Sequence, residues 1–77
     1  MPSNAPPQHF RRGKLRVAIY AALRDGPQTG PEIVRRVSEA HGLPYRTIYR
    51  SVYSQLQVMR VAGRVAHEGA LWGLAGA

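Results

Sequence analysis

The chain has 77 residues, enough for one domain with one modest core, and 44% of them are hydrophobic. It has no cysteine, which excludes disulfides and thiolate metal sites. Eleven Lys and Arg against four Asp and Glu give a formal charge of +7, which favours a nucleic-acid partner over the alternative that the charge only keeps a small protein soluble.

The N-terminal segment is rich in proline among small polar residues, and residues 1–13 are predicted to be a disordered tail that ends in a basic arm. It lacks the charged and then apolar pattern of a secretory signal. The longest apolar run, Val17–Leu23, is far too short to span a membrane. A cytoplasmic, nucleoid-associated protein is expected.

The first predicted helix carries apolar residues at helical spacing from Leu15 to Leu23. Gly26 and Pro27 are predicted to stop this helix, because glycine favours a left-handed cap and proline cannot continue the helix. The residues Pro27–Thr29 are then free to run extended, as a short first strand would.

The second predicted helix begins with a capping signal. Thr29 and Glu32 have the spacing of a capping box, although Gly30 is an alternative cap. The helix is predicted to end at residues 41–42. Its apolar face is predicted to consist of Ile33, Val34 and Val37.

The third predicted helix, Tyr45–Val61, follows a tight turn and is the most informative element. At about 100° per residue, one side carries Ile48, Val52, Leu56 and Met59, with Tyr45 and Tyr49 at its edge. The opposite side is polar and free of acidic residues. It carries Arg46, Arg50, Tyr53, Ser54 and Gln57.

The C-terminal segment, Arg64–Leu74, has two short β-rich stretches around a glycine turn and is predicted to form a hairpin. Trp72 is predicted to lie in the core, because a domain this small needs one large anchor. The predicted fold is mainly α, with three helices and a small β-hairpin.

This order of elements resembles the winged helix-turn-helix family of bacterial and phage transcription regulators, over Leu15–Leu74. The matching segments are residues 22–27, 29–33, 46–50, 63–65 and 72–74. The chain departs from the family pattern by about one extra helical turn before Gly63, and its hairpin is short. The resemblance implies that residues 14–75 form a winged helix-turn-helix domain that binds double-stranded DNA.

The resemblance also implies which residues contact DNA. The start of the third helix would read bases in the major groove, with a merely solvated helix face as the alternative. The implied base-reading residues are Arg46, Thr47 and Arg50, with Tyr45, Tyr49 and Ser54 beside them. Those implied for the backbone are Arg35 and Arg36 on the second helix, Arg64 and His67 at the hairpin, and Arg11, Arg12 and Lys14 in the arm.

Four of these assignments have competing explanations. Tyr49 is better explained as a residue at the edge of the core than as a base contact. Arg35 or Arg36 can instead pair with Glu32 or Glu39. His67 can be an ordinary exposed strand residue, and the basic arm can be an ordinary charged tail.

The sequence shows no arrangement of residues that is typical of a catalytic site. The three histidines are scattered, and no nucleophile motif or phosphate-binding loop is present. We therefore expect no enzyme, no cofactor, no metal and no small-molecule ligand.

The leading hypothesis is a sequence-specific transcriptional regulator, either a repressor or an accessory factor. It is expected to act as a homodimer or by cooperative assembly on DNA through Val58, Val61, Leu71 or the first helix. The alternative is a protein–protein interaction adaptor. A third hypothesis, RNA binding, is disfavoured because the sequence shows no paired aromatic motif for stacking bases.

Overall fold

Three helices and a small antiparallel sheet make up residues 13–75, which are the residues that the computed structural model of the chain describes. The elements, in chain order, are α1 (Lys14–Leu23), β1 (Gln28–Thr29), α2 (Gly30–His41), α3 (Tyr45–Val61), β2 (Val65–Glu68) and β3 (Leu71–Leu74). The mainly helical prediction is confirmed. Arg11 and Arg12, predicted to lie in a basic arm, fall outside the described residues.

The capping box predicted for α2 is present. The Thr29 hydroxyl oxygen accepts a hydrogen bond from the Glu32 backbone N–H at 3.2 Å, and the Glu32 carboxylate accepts one from the Thr29 N–H at 3.0 Å. Thr29 is therefore the cap, and Gly30 is the first helical residue. The helix ends at His41 and is capped by Gly42, whose φ of +64° is a left-handed conformation that favours glycine.

The Glu32 carboxylate gives this cap a dependence on pH. The hydrogen bond from the Thr29 backbone holds the pKa of Glu32 below its usual value, because it stabilises the ionised form. The contribution is complete above the unfolded pKa of about 4.3 and is lost as the pH falls through the lower folded value.

We therefore expect Glu32→Gln, which keeps the hydrogen-bond acceptor but removes the charge, to lower the melting temperature at neutral pH. The difference from the native chain should close as the pH falls below about 4. Thermal melts followed by circular dichroism across the acid range measure it. A difference that stays constant with pH would contradict the assignment.

Helix α3 buries one side only. Ile48, Val52, Leu56 and Met59 are buried, as predicted from their spacing. The chain then turns sharply, because the Arg64 backbone N–H donates to the Met59 carbonyl oxygen at 2.8 Å and Gly63 adopts a φ of +78°. This turn directs the chain from the end of α3 into the hairpin.

The sheet joins the hairpin to the segment between α1 and α2. Its strand order is β1-β3-β2, and both pairs are antiparallel. Trp72 on the middle strand faces Gln28 on one side and His67 on the other. The predicted hairpin is confirmed, and the predicted extended segment forms the two residues of β1.

One hydrophobic core lies between the helices and the sheet. Trp72 belongs to it with only 3% of its surface exposed, as predicted. The other members are Ala18, Ile19, Ala22, Leu23, Ile33, Val34, Val37, Ile48, Val52, Leu56, Met59 and Val65. Within residues 13–75, no helix combines the length and apolar character that crossing a membrane requires.

Candidate nucleic-acid interface

The outward side of α3 presents a row of two arginines. Arg46 and Arg50 are both exposed and stand four residues apart, so they lie above one another on the helix surface. Ser54 continues the row and is exposed, while Thr47 beside it is half-buried. α3 contains no acidic residue, so none of its own side chains neutralises these cations.

Next to the arginines runs a row of three tyrosines. The rings of Tyr45 and Tyr49 have centroids 6.4 Å apart and planes within 15° of parallel, and Tyr53 meets Tyr49 edge-on. Tyr45 is 41% exposed and Tyr49 39% exposed. Sequence reasoning missed this pair of neighbouring rings, although their spacing of four residues was a visible signal for it.

Tyr53 does not face outward as predicted but packs partly buried over the start of α2. A Cβ atom added to Gly30 would lie only 2.3 Å from its hydroxyl oxygen, so the glycine is what admits the ring. Burial raises the pKa of Tyr53. The helical position of Tyr53 lies on the flank of α3, and the sequence alone could not show which element fills that flank.

The cations of α2 differ in their partners. Arg36 forms its ion pair with Asp25 at 2.8 Å, and not with Glu32 or Glu39, the partners considered as an alternative to DNA contact. The turn after α1 brings Asp25 beside α2, a proximity that spacing within α2 cannot reveal. Both partners are well exposed, and such pairs contribute little to stability. Arg35 is exposed and helps lower the pKa of Glu32, after the hydrogen bonds from Thr29.

Two candidate contacts lie at the hairpin and one at the start of α1. His67 is exposed, but its ring stacks on the Trp72 indole, with centroids 3.8 Å apart and planes 8° from parallel. One face of the imidazole is thus covered. Arg64 is exposed where α3 meets β2, and Lys14 is exposed at the first residue of α1.

Two further sequence-based expectations concern partners. Val58, Val61 and Leu71, suggested as assembly contacts, are all exposed, and assembly on DNA stays a prediction. Among residues 13–75, no three His, Cys, Asp or Glu side chains come together in a way that could hold a metal ion.

Comparison with known proteins found no relative of this chain. Neither a protein-family model, nor a curated protein, nor a solved structure matches this chain. Function is therefore inferred from the residues of the chain itself.

Proposed function

We propose that the chain is a winged helix-turn-helix domain that binds double-stranded DNA through the outward side of α3 and serves as a transcriptional regulator. The observation that carries this proposal is the exposed row of Arg46 and Arg50 on a helix without acidic residues. The net charge of +7 adds a general attraction for the phosphate backbone.

The dimensions of α3 suit the major groove. A helix of 17 residues is about 25 Å long and about 10–12 Å wide with its side chains, and the groove is about 12 Å wide. An arginine fork in the groove can bond O6 and N7 of guanine together, and the Thr47 methyl can pack on a thymine methyl.

The arrangement around α3 supports the same proposal. The turn over residues 42–44 joins α2 to α3, and the hairpin follows α3 directly. In helix-turn-helix proteins the helix after such a turn enters the groove while the preceding helix crosses the backbone. Exposed Arg35 on α2 and Arg64 before β2 are placed on those flanking elements and suit phosphate contact.

A second candidate function is supported by a shallow cleft between α1 and α2. The cleft is lined by five apolar residues and three polar or charged ones: Ala18, Ala21, Ala22, Val37 and Ala40, with Arg36, Glu39 and His41. A protein–protein adaptor would use such a surface and would leave the arginines of α3 unengaged. Variants on α3 therefore separate the two candidates.

The test measures binding to a duplex selected from a randomised library, by fluorescence anisotropy at several salt concentrations. With about five phosphates neutralised, the slope of log affinity against log salt should be about −4 to −5. Replacing Arg46 and Arg50 by alanine should cost about 1–3 kcal/mol for each arginine and relax the base preference, because the contacts to base edges are lost.

The matched control is Arg16→Ala with Arg24→Ala, which removes the same charge from exposed positions at α1. It should weaken all duplexes alike and leave the base preference intact. A salt slope near zero, or equal effects of the two double variants on base preference, would refute readout by α3.

A further inference from the structure

We propose that Tyr45 and Tyr49 form a binding site for an unpaired nucleobase, so that the domain binds single-stranded or locally unpaired nucleic acid by stacking as well as by charge. This inference rests on the proposed nucleic-acid binding at the same side of α3. It adds a ligand class that base readout in a fully paired groove does not include.

The geometry of the tyrosine pair suits a planar ring. Each ring offers a flat surface on which a base can stack, and the spacing of the two rings follows the rise of about 6 Å between residues four apart on a helix. The Tyr45 and Tyr49 centroids are 6.4 Å apart with planes within 15° of parallel. The stacked His67 and Trp72 rings, in contrast, have centroids only 3.8 Å apart.

Packing of the hydrophobic core does not require Tyr45 and Tyr49 at these positions. Tyr53, in the same row, packs over Gly30 and against the core, so packing within the fold accounts for its position. Tyr45 and Tyr49 remain 41% and 39% exposed and are absent from the core cluster. Two adjacent, nearly parallel aromatic side chains are therefore accessible to a ligand.

The arginine row supplies the second half of a single-strand site. Tyr45 precedes Arg46 and Tyr49 precedes Arg50, so each ring has a cation next to it around the helix. Both rows repeat every four residues, which is a rise of about 6 Å. Non-specific single-strand sites combine these parts, a cationic track for the phosphates and aromatic rings for the bases.

A fully paired duplex cannot use the tyrosines in this way, because its base faces are covered by neighbouring base pairs. An unpaired base exposes both of its faces, and stacking on an aromatic side chain is available to every base. The site therefore selects for unpaired bases with little regard to sequence, whereas the arginines also serve duplex DNA.

The experiment compares single strands of about 15 nucleotides, as DNA and as RNA, with a duplex of the same sequence and the same duplex containing a central mismatch bubble. Tyr45→Leu with Tyr49→Leu should weaken binding to either single strand and to the bubble by about 10-fold or more. Binding to the intact duplex should fall by a clearly smaller factor, because Arg46 and Arg50 still contact its phosphates and base edges. The DNA and RNA arms show whether the 2′-hydroxyl matters.

The matched control is Tyr45→Phe with Tyr49→Phe, which keeps both rings and removes only the hydroxyls. It should bind single strands like the native chain. A single strand with abasic positions supplies the complementary control, because it keeps the phosphates. It should bind the native chain more weakly than the intact strand, whereas the leucine variant should not distinguish the two.

Any of three results would overturn the inference. The first is that the native chain fails to bind single strands, and the second is that the leucine variant weakens single-strand and duplex binding equally. The third is that the phenylalanine variant binds single strands as weakly as the leucine variant. If duplex binding and its dependence on Arg46 and Arg50 persist in any of these cases, only the stacking site fails. Circular dichroism melts of each variant show that the fold is retained.

Discussion

Trp72→Ala should remove at least about a quarter of the free energy of unfolding of the domain. Truncating a buried tryptophan costs roughly 3–5 kcal/mol, because it removes apolar contact and leaves a cavity. A domain of 77 residues has a total stability of only about 4–12 kcal/mol. Trp72 also occupies the middle strand, where β1 and β2 both pair with β3, so its loss weakens the whole sheet.

Urea denaturation followed by far-ultraviolet circular dichroism measures this effect. Trp72→Phe should retain a folded baseline, because a ring still fills much of the site. The matched control is Leu71→Ala on the same strand, an exposed position where the cost should be within about 0.5 kcal/mol. Equal stability of Trp72→Ala and Leu71→Ala would contradict the role of Trp72 as the anchor.

Gly30→Ala should destabilise the domain by about 1–3 kcal/mol, although alanine is the better helix former. Its Cβ atom would lie 2.3 Å from the Tyr53 hydroxyl oxygen and 2.6 Å from two ring carbons. The ring must therefore move out of the space it occupies and lose its packing against the core.

A double-mutant cycle isolates this contact. In a chain that already carries Tyr53→Ala, Gly30→Ala should cost clearly less than in the native chain, because the obstructing ring is gone. Urea midpoints of the four proteins give the coupling energy. Additive effects of the two substitutions would show that the ring does not depend on the glycine.

The helices and the hairpin could be predicted from sequence because their signals are local. Thr29 with Glu32 specified the start of α2, and the apolar spacing in α3 gave its buried side. A small domain can bury the large apolar surface of a tryptophan only in its core, which is why the burial of Trp72 was predicted correctly.

The contacts that the sequence did not predict join separate elements. Asp25 pairs with Arg36 across eleven positions, and Tyr53 lies over Gly30 because α2 and α3 cross there. His67 stacks on Trp72 through the register of the hairpin. Periodicity describes one helix or strand at a time, so it cannot say which side chain of a neighbouring element occupies a given space.

Thr29 has two roles that have a mechanical consequence. It is the cap of α2, and it also pairs with Leu71 in the sheet. The hairpin and α2 are thus both joined directly to the same residue, and no linker lies between them that could act as a hinge. A stiff surface of this kind loses little conformational freedom when it engages a ligand, so adjustment of shape falls to the partner. For the duplex ligand proposed above, that adjustment would be bending, and its sequence-dependent cost would favour deformable DNA even at base pairs that no side chain contacts.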